Sequence, residues 1–176
     1  MKRLITLILV LPIVNYSPAQ SYSVGSNIMG LVTGSLNLEL SASLNRRLSL
    51  HLPLSWNPLQ FGDNKKIKHM MLSPGLRLWS WHSYSGFYAG TQIVLMRYNC
   101  GLNSLRYDGK GYGFSLSAGY SKMVSRRWNL DFEIGAGVFR LKHDCFERRV
   151  CGEYLYSEDK LKLLPCRLSV NLVYLL

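Results

Sequence analysis

The feature that most constrains this chain is a two-residue alternation of apolar with small or polar side chains, which recurs from segment to segment. Successive side chains of a β-strand point to opposite faces, so this period predicts strands with one apolar and one polar face. The alternation is clearest over residues 36–44, 48–56, 112–121, 128–138 and 168–176. Weaker alternation covers residues 27–32, 70–79 and 87–98. These segments predict eight strands, most of them about ten residues long, which is the length that a tilted strand needs to cross a bilayer.

The N-terminus has the pattern of an export signal. Lys2 and Arg3 precede an apolar run from Leu4 to Val14, and small residues follow it. A bilayer-spanning helix needs about twenty apolar residues, so this run favours a cleaved signal peptide over a membrane anchor. We predict a signal peptide over residues 1–19, cut after Ala19 or alternatively after Gln20, and one domain over residues 20–176.

The connections between the predicted strands alternate in length, as they do in outer-membrane barrels. The short ones are residues 45–47, 80–86 and 124–127, and the long polar ones are residues 57–66, 99–110 and 143–160. With a periplasmic N-terminus, the long connections face outward. The predicted fold is therefore all-β: an eight-stranded antiparallel up-and-down transmembrane β-barrel in the outer membrane. A soluble barrel or sandwich with the opposite faces inward is the alternative, and the abundance of Gly and Ser on the polar faces favours the membrane.

Charged residues that lie within the predicted strands, away from the strand ends, are all on the polar face. A charge that faced lipid at mid-membrane would cost about 2–4 kcal/mol. An eight-stranded barrel has an interior only wide enough for side chains, and buried charges must be paired. We therefore predict a salt-bridge network that closes the lumen, with a gated pore for small solutes as the alternative. The predicted network consists of Glu39, Arg77, Asp131, Glu133 and Arg167.

The chain is basic, with a formal net charge of +11. Nucleic acid is not an expected partner for an exported barrel, whereas lipid phosphates, such as those of lipopolysaccharide, are acidic and close at hand. The candidate phosphate-binding residues of the outer surface are Lys65, Lys66, Lys68, Arg148 and Arg149. The alternative is a set of ordinary solvated charges.

Four cysteines lie in the long outer connections or at strand ends beside them: Cys100, Cys145, Cys151 and Cys166. An exported protein meets an oxidising setting, so disulfides are expected. Cys145–Cys151 is the local pairing, and Cys100–Cys166 would follow only if the loops bring the two together. A zinc site is the competing interpretation, although no pair of Cys-x-x-Cys motifs is present.

Two histidines, His69 and His143, are predicted near the outer rim, with Asp63 and Asp144 close in sequence. A lipid-modifying enzyme with a His–Ser–acid site is the alternative function that they raise. A triad requires hydrogen-bond geometry that sequence spacing does not supply. No catalytic residue and no cofactor is therefore assigned.

Several stretches also carry a resemblance to a known family. They are residues 56–58, 61, 63–66, 68–69, 74–79, 106–107, 111–120, 126–130, 135, 137, 165 and 173–175. They resemble a family of small Gram-negative outer-membrane barrels of unknown function, often encoded near genes for fimbrial subunits. The resemblance covers nearly the whole mature chain and implies a β-barrel with no assigned catalytic residues. Family members usually carry a tighter Cys-x-x-Cys in the last outer loop; the spacing here is Cys145-x5-Cys151, so no metal site is carried over.

Together these observations predict a non-enzymatic outer-membrane barrel with a plugged lumen. It would serve as an envelope anchor or interaction surface, and the resemblance links it to fimbrial or other envelope proteins as partners. A lipid-modifying enzyme at the rim and a small-solute pore are the alternative functions.

Overall fold

A computed structural model describes residues 22–62, 64–101, 104–148 and 152–176. The predicted signal peptide, residues 1–19, lies outside the described residues. These form nine strands and one short helix: β1 (Tyr22–Asn27), α1 (Ile28–Val32), β2 (Leu36–Asn45), β3 (Leu48–Asn57), β4 (Lys66–Leu72), β5 (Gly75–Trp79), β6 (Gly86–Gly101), β7 (Leu105–Met123), β8 (Trp128–Glu147) and β9 (Tyr154–Leu175). Within these ranges, no helix has the length and apolar character needed to cross a membrane.

The strands pair side by side until the sheet closes on itself as a ring. The hydrogen-bonded order is β2-β1-β9-β8-β7-β6-β4-β3, and β3 pairs again with β2. Strands β4 and β5 lie one after the other between β3 and β6, so the ring has eight strand positions. All pairings are antiparallel. The prediction of an all-β antiparallel fold is therefore confirmed, with nine strands in place of eight.

The segment predicted as the first strand, residues 27–32, is wrong: it forms helix α1, and the strand lies earlier. Asn27 caps the helix, because its side-chain oxygen accepts a hydrogen bond from the Met29 N–H at 3.0 Å. Gly34, with a φ of +75°, then turns the chain into β2. This local capping chemistry prevails over a weak alternation.

The segment predicted as one strand over residues 70–79 is divided between β4 and β5. Pro74 lies at the break and has no N–H to donate to a neighbouring strand. The Ser73 N–H donates to the carbonyl of Pro53 at 3.0 Å, which fixes the chain at the interruption. Pro53 and Pro74 therefore both lie beside this interruption of the sheet.

Two of the predicted long outer connections, residues 99–110 and 143–160, are mostly strand. The β7–β8 pairing continues without a break to Leu105 opposite Glu147, and β9 already begins at Tyr154. Polar side chains do not end a strand whose two faces are both hydrated, so polarity was a poor signal for the loop boundaries. Strands β6 to β9, with 16 to 22 residues each, are consequently the longest of the ring.

The burial of the side chains distinguishes the two faces of the sheet. Along β8, buried and exposed residues alternate almost without exception, and the buried ones include Asp131 and Glu133. The exposed face carries large apolar residues such as Leu163, which is 75% exposed, Ile134 at 65% and Leu116 at 58%. This is the opposite of a soluble barrel, which keeps its apolar face inside. The interior of the ring is polar and its exterior is apolar.

Candidate functional site

The five charged residues predicted to fill the interior come together in one cluster. Glu39 lies on β2, Arg77 on β5, Asp131 and Glu133 on β8, and Arg167 on β9. Each is on the inward parity of its strand, and the strands approach one another from different sides of the ring. The cluster is thus assembled from residues that are as many as 128 positions apart in the chain.

Arg77 is the centre of this cluster and is only 2% exposed. Its Nη1 lies 2.8 Å from Glu39 Oε1, and its Nη2 lies 2.7 Å from Glu133 Oε2. Asp131 is held less closely, with Oδ2 at 3.7 Å from Nη1. The planar guanidinium can donate from two nitrogens to two carboxylates at once. The ammonium of a lysine has a single nitrogen and is less suited to this arrangement.

Arg167 completes the circuit from the opposite side. Its Nη2 lies 2.5 Å from Glu39 Oε2, and its Nε lies 2.6 Å from Glu133 Oε2. Two carboxylates therefore alternate with two guanidinium groups around a closed loop. Gln92 supports this loop, since its amide donates to Glu133 Oε1 at 2.9 Å and its carbonyl accepts from Arg167 at 3.3 Å. Gln92 was not among the predicted residues, although it lies on the polar face of β6 and its parity could have indicated it.

A second hydrogen-bonded chain joins the cluster at Glu39. Its Oε1 lies 2.9 Å from His51 Nδ1, and His51 Nε2 lies 2.7 Å from Ser49 Oγ. The indole N–H of Trp79 donates to the same Ser49 oxygen at 2.7 Å. Ser49 and His51, both on the inward face of β3, were likewise not predicted as site residues.

The connection Ser49–His51–Glu39 is that of a Ser–His–acid triad, in which the serine must meet a substrate carbonyl. Here Ser49 is fully buried, and Trp79, which is 1% exposed, donates to its oxygen. The carboxylate of Glu39 is held by two guanidinium groups as well as by the histidine. A substrate would have to displace buried side chains to reach the hydroxyl, so the arrangement fits an internal support of the cluster better than a nucleophile.

An aromatic layer closes the interior on the other side of Arg77. Trp79, Tyr84 and Tyr88 are each no more than 4% exposed and pack together, with ring centroids 4.6 Å apart for Trp79 and Tyr88. The guanidinium of Arg77 lies 4.8 Å from the centre of the Tyr88 ring, within range of a cation–π contact. Gly119 leaves room for this ring, because a Cβ there would lie 2.4 Å from Tyr88 Cζ.

The predicted outer-surface cations lie at the end of the sheet that is away from the aromatic layer. Lys65 precedes β4, while Lys66 and Lys68 lie on it, and the Lys68 ammonium donates to Gln60 Oε1 at 2.9 Å. The Asn64 amide donates to the carbonyl of Arg148 at 2.6 Å, which joins the segment before β4 to the end of β8. Arg149 lies outside the described residues.

The cysteines of the described part are in strands rather than loops. Cys100, Cys145 and Cys166 form no disulfide with one another, and the predicted pairing Cys145–Cys151 involves a residue outside the described part of the chain. Burial raises the pKa of the Cys100 thiol. Over the residues that the structure describes, no group of three or more His, Cys, Asp or Glu side chains is arranged to hold a metal ion.

The two rim histidines lie in one cross-strand row, with β6 and β7 between them. His143 is buried on β8, with Nδ1 3.2 Å from the Tyr98 hydroxyl and Nε2 3.5 Å from Glu158. His69 lies on β4, where burial lowers its pKa. The ring nitrogens of His143 thus meet a tyrosine and a glutamate, not a serine. Asp63 lies outside the described residues.

Comparison with known proteins gives a family and no activity. Residues 4–176 match the model of a family described as "Protein of unknown function (DUF3575)". No curated protein and no solved structure matches the chain.

Proposed function

The chain belongs to the DUF3575 family of proteins of unknown function, and we propose that it is a non-enzymatic outer-membrane β-barrel with a closed lumen. Its role is that of an anchor or interaction surface in the cell envelope. The resemblance noted in the sequence makes fimbrial or other envelope proteins the class of partner to be tested.

The apolar exterior supports the membrane location. On β8 the outward residues run from Trp128 through Phe132 and Ile134 to Val138 without a charge. At about 3.4 Å per residue, those ten steps span about 34 Å of strand, or about 26 Å once the strand tilts by about 40°. That height matches the apolar band of about 25 Å around outer-membrane barrels. In water, so large an apolar surface would drive aggregation.

The loop of ion pairs among Arg77, Arg167, Glu39 and Glu133, called the charge circuit below, is the observation that supports a closed lumen. Arg77 and Arg167 each contact both Glu39 and Glu133, and together these side chains cross the interior of the ring. A pore would need a continuous aqueous path past this circuit and past the aromatic layer around Trp79. A barrel with eight strand positions has no spare width for one.

Four measurements test this proposal. The protein should fractionate with outer membranes, and its unheated form should migrate differently on a gel from its heated form. Purified protein in planar bilayers should show no conductance, and the lipid A mass spectrum of cells should be the same with and without the gene. Recovery in the soluble fraction would contradict the location, steady conductance would favour the pore, and a changed lipid A spectrum would favour the enzyme.

A further inference from the structure

Three cations lie side by side on the exterior of the ring. Arg97 on β6 is directly opposite Lys110 on β7, which is directly opposite Lys142 on β8. All three are exposed and share the outward parity of the apolar residues. The next outward row along the strands contains Leu95, Tyr112 and Arg140, which is paired with Asp159, and the row beyond it is apolar. None of the three was among the predicted surface residues.

Such a row is unfavourable by itself, because like charges directly opposite one another on neighbouring strands repel. Among the described residues, no carboxylate forms an ion pair with any of the three cations. The nearest cross-strand acid, Asp159 opposite Lys142, is already engaged by Arg140, with two contacts of 3.0 Å. Asp108 and Asp144 line the same depression, but neither forms an ion pair with the three cations, so no direct ion pair in the described part of the chain neutralises the row.

The surface around the row is concave. Arg97, Lys110 and Lys142 line a depression of about 460 Å³. Arg97 also lines a second depression of about 370 Å³, which extends to Lys68 and Trp56. The two depressions share Arg97, and the second connects the row with Lys68, one of the residues that the sequence predicted to bind phosphate.

The chemistry of the neighbouring rows defines what fits. Ile93, Phe114 and Val138 form an apolar row two positions beyond Leu95. Asp108 and Asp144 lie on the other side of the cations, away from the apolar exterior. An occupant approaching along the apolar surface thus meets the cations before it meets the acids. A molecule with an anionic head and hydrocarbon tails can contact both the cations and the apolar rows. A hydrophilic anion can contact only the cations.

We propose that Arg97, Lys110 and Lys142 form a binding site for the phosphate groups of a membrane lipid, whose acyl chains lie along the apolar row at Phe114. Arginine and lysine both bind phosphate, the first through its fork and the second as a point charge. The phosphates supply the missing anion and hold the ring at a fixed depth. This inference rests on the proposed membrane location and names the lipid chemistry that the barrel recognises.

The test uses the mature chain folded in phosphatidylcholine vesicles that contain increasing fractions of lipid A, which carries two phosphates. The variant is R97Q/K110Q/K142Q. The matched control is R46Q/R47Q/K122Q, which removes three positive charges near the opposite end of the strands. Each cation near a phosphate surface accounts for about fivefold in affinity, so the variant should lose about 100-fold in apparent lipid A affinity. The control should change it by less than about threefold.

Two further readouts distinguish a lipid site from a structural one. In pure phosphatidylcholine the variant should be as stable to urea as the wild type, or more stable, because repulsion is relieved; lower stability would mean that the three residues serve the fold. Inorganic pyrophosphate at millimolar concentration should not displace lipid A. Displacement at micromolar pyrophosphate would identify a soluble phosphate compound as the ligand and overturn the proposal.

Failure of this inference is separable from failure of the proposed function. If the wild-type chain does not fold into vesicles of any composition, the membrane location is wrong. If the chain inserts normally but the variant binds lipid A as the wild type does, the location stands and only the phosphate site is refuted.

Discussion

Replacement of Arg77 by methionine tests whether the charge circuit holds the interior together. Methionine retains an unbranched apolar stem but removes the guanidinium that lies 2.8 Å from Glu39 and 2.7 Å from Glu133. Glu39 and Glu133 would then share the single guanidinium of Arg167, and Asp131 would lose its contact with Arg77. Removing one partner from a buried ion pair typically costs about 3–5 kcal/mol. Because Arg77 serves two close carboxylates, we expect R77M to reduce the free energy of unfolding by about 4 kcal/mol, which is a large part of the 5–15 kcal/mol typical of a folded protein.

The assay is urea unfolding of the chain in phosphatidylcholine vesicles, followed by tryptophan fluorescence and by gel migration of unheated samples. Urea is uncharged and leaves the ion pairs unscreened. R77K is the matched control, since it keeps the charge and loses only the fork, so its cost should be smaller than that of R77M. The double variant R77M/E133Q removes both partners of one pair, and it should be less destabilised than the sum of the two single variants by about 1–3 kcal/mol.

Two results would refute this reasoning. A cost below about 1 kcal/mol for R77M would mean that the carboxylates are compensated by solvent rather than by the guanidinium. Strict additivity of R77M and E133Q would mean that the 2.7 Å contact contributes no coupling, and the circuit would then be incidental to the fold.

Two further predictions concern packing and pH. G119A would place a Cβ 2.4 Å from the Tyr88 ring and should lower the urea midpoint by the equivalent of about 1–3 kcal/mol. The control is G62A, whose Cβ meets nothing within 4 Å and which should leave the midpoint unchanged. Equal midpoints for both variants would contradict the packing argument. The hydrogen bond from Arg140 holds the pKa of Asp159 below its usual value, so the contribution of this pair is complete above the ordinary aspartate pKa of about 3.9 and is lost as the pH falls through the lower folded value. NMR titration of the carboxyl should show the Asp159 pKa rising in R140Q, and an unchanged value would show that the pair does not persist in solution.

The sequence was sufficient to predict which face each strand residue occupies, but not which residues meet. Parity alone places Arg77 and Glu133 on the inner face, because a shift by one residue would put both toward the apolar side. Their contact depends on the register of non-adjacent strands, which side-chain alternation does not specify. Ser49 and His51 share the same parity, which predicts that both face inward. The hydrogen bonds between Ser49 and His51 and between His51 and Glu39 could not be predicted from it.

Local chemistry explains the errors. Residues 27–32 alternate weakly, but Asn27 is a strong helix cap and its bond to Met29 starts a helix. Residues 143–160 are polar enough to resemble a loop, yet His143 opposite Glu158 and Cys145 opposite Tyr156 continue the strand pairing. In both cases a specific contact of the backbone prevails over a polarity pattern that covers only a short segment.

The interior circuit and the exterior cation row should act independently of each other. Arg77 lies opposite Gly90 on β6, and Arg97 lies seven residues further along the same strand, a separation of about 23 Å at about 3.3 Å per residue. Sites more than about 10 Å apart that share no partner have additive effects on stability. R77M should therefore lower the stability of the fold and leave the affinity for lipid A intact in the molecules that fold. R97Q/K110Q/K142Q should lower the affinity for lipid A and leave the stability of the fold intact. If the two sets of substitutions proved non-additive, closure of the interior and seating in the membrane would be a single property of the ring, and the assignment of separate roles to its two faces would fail.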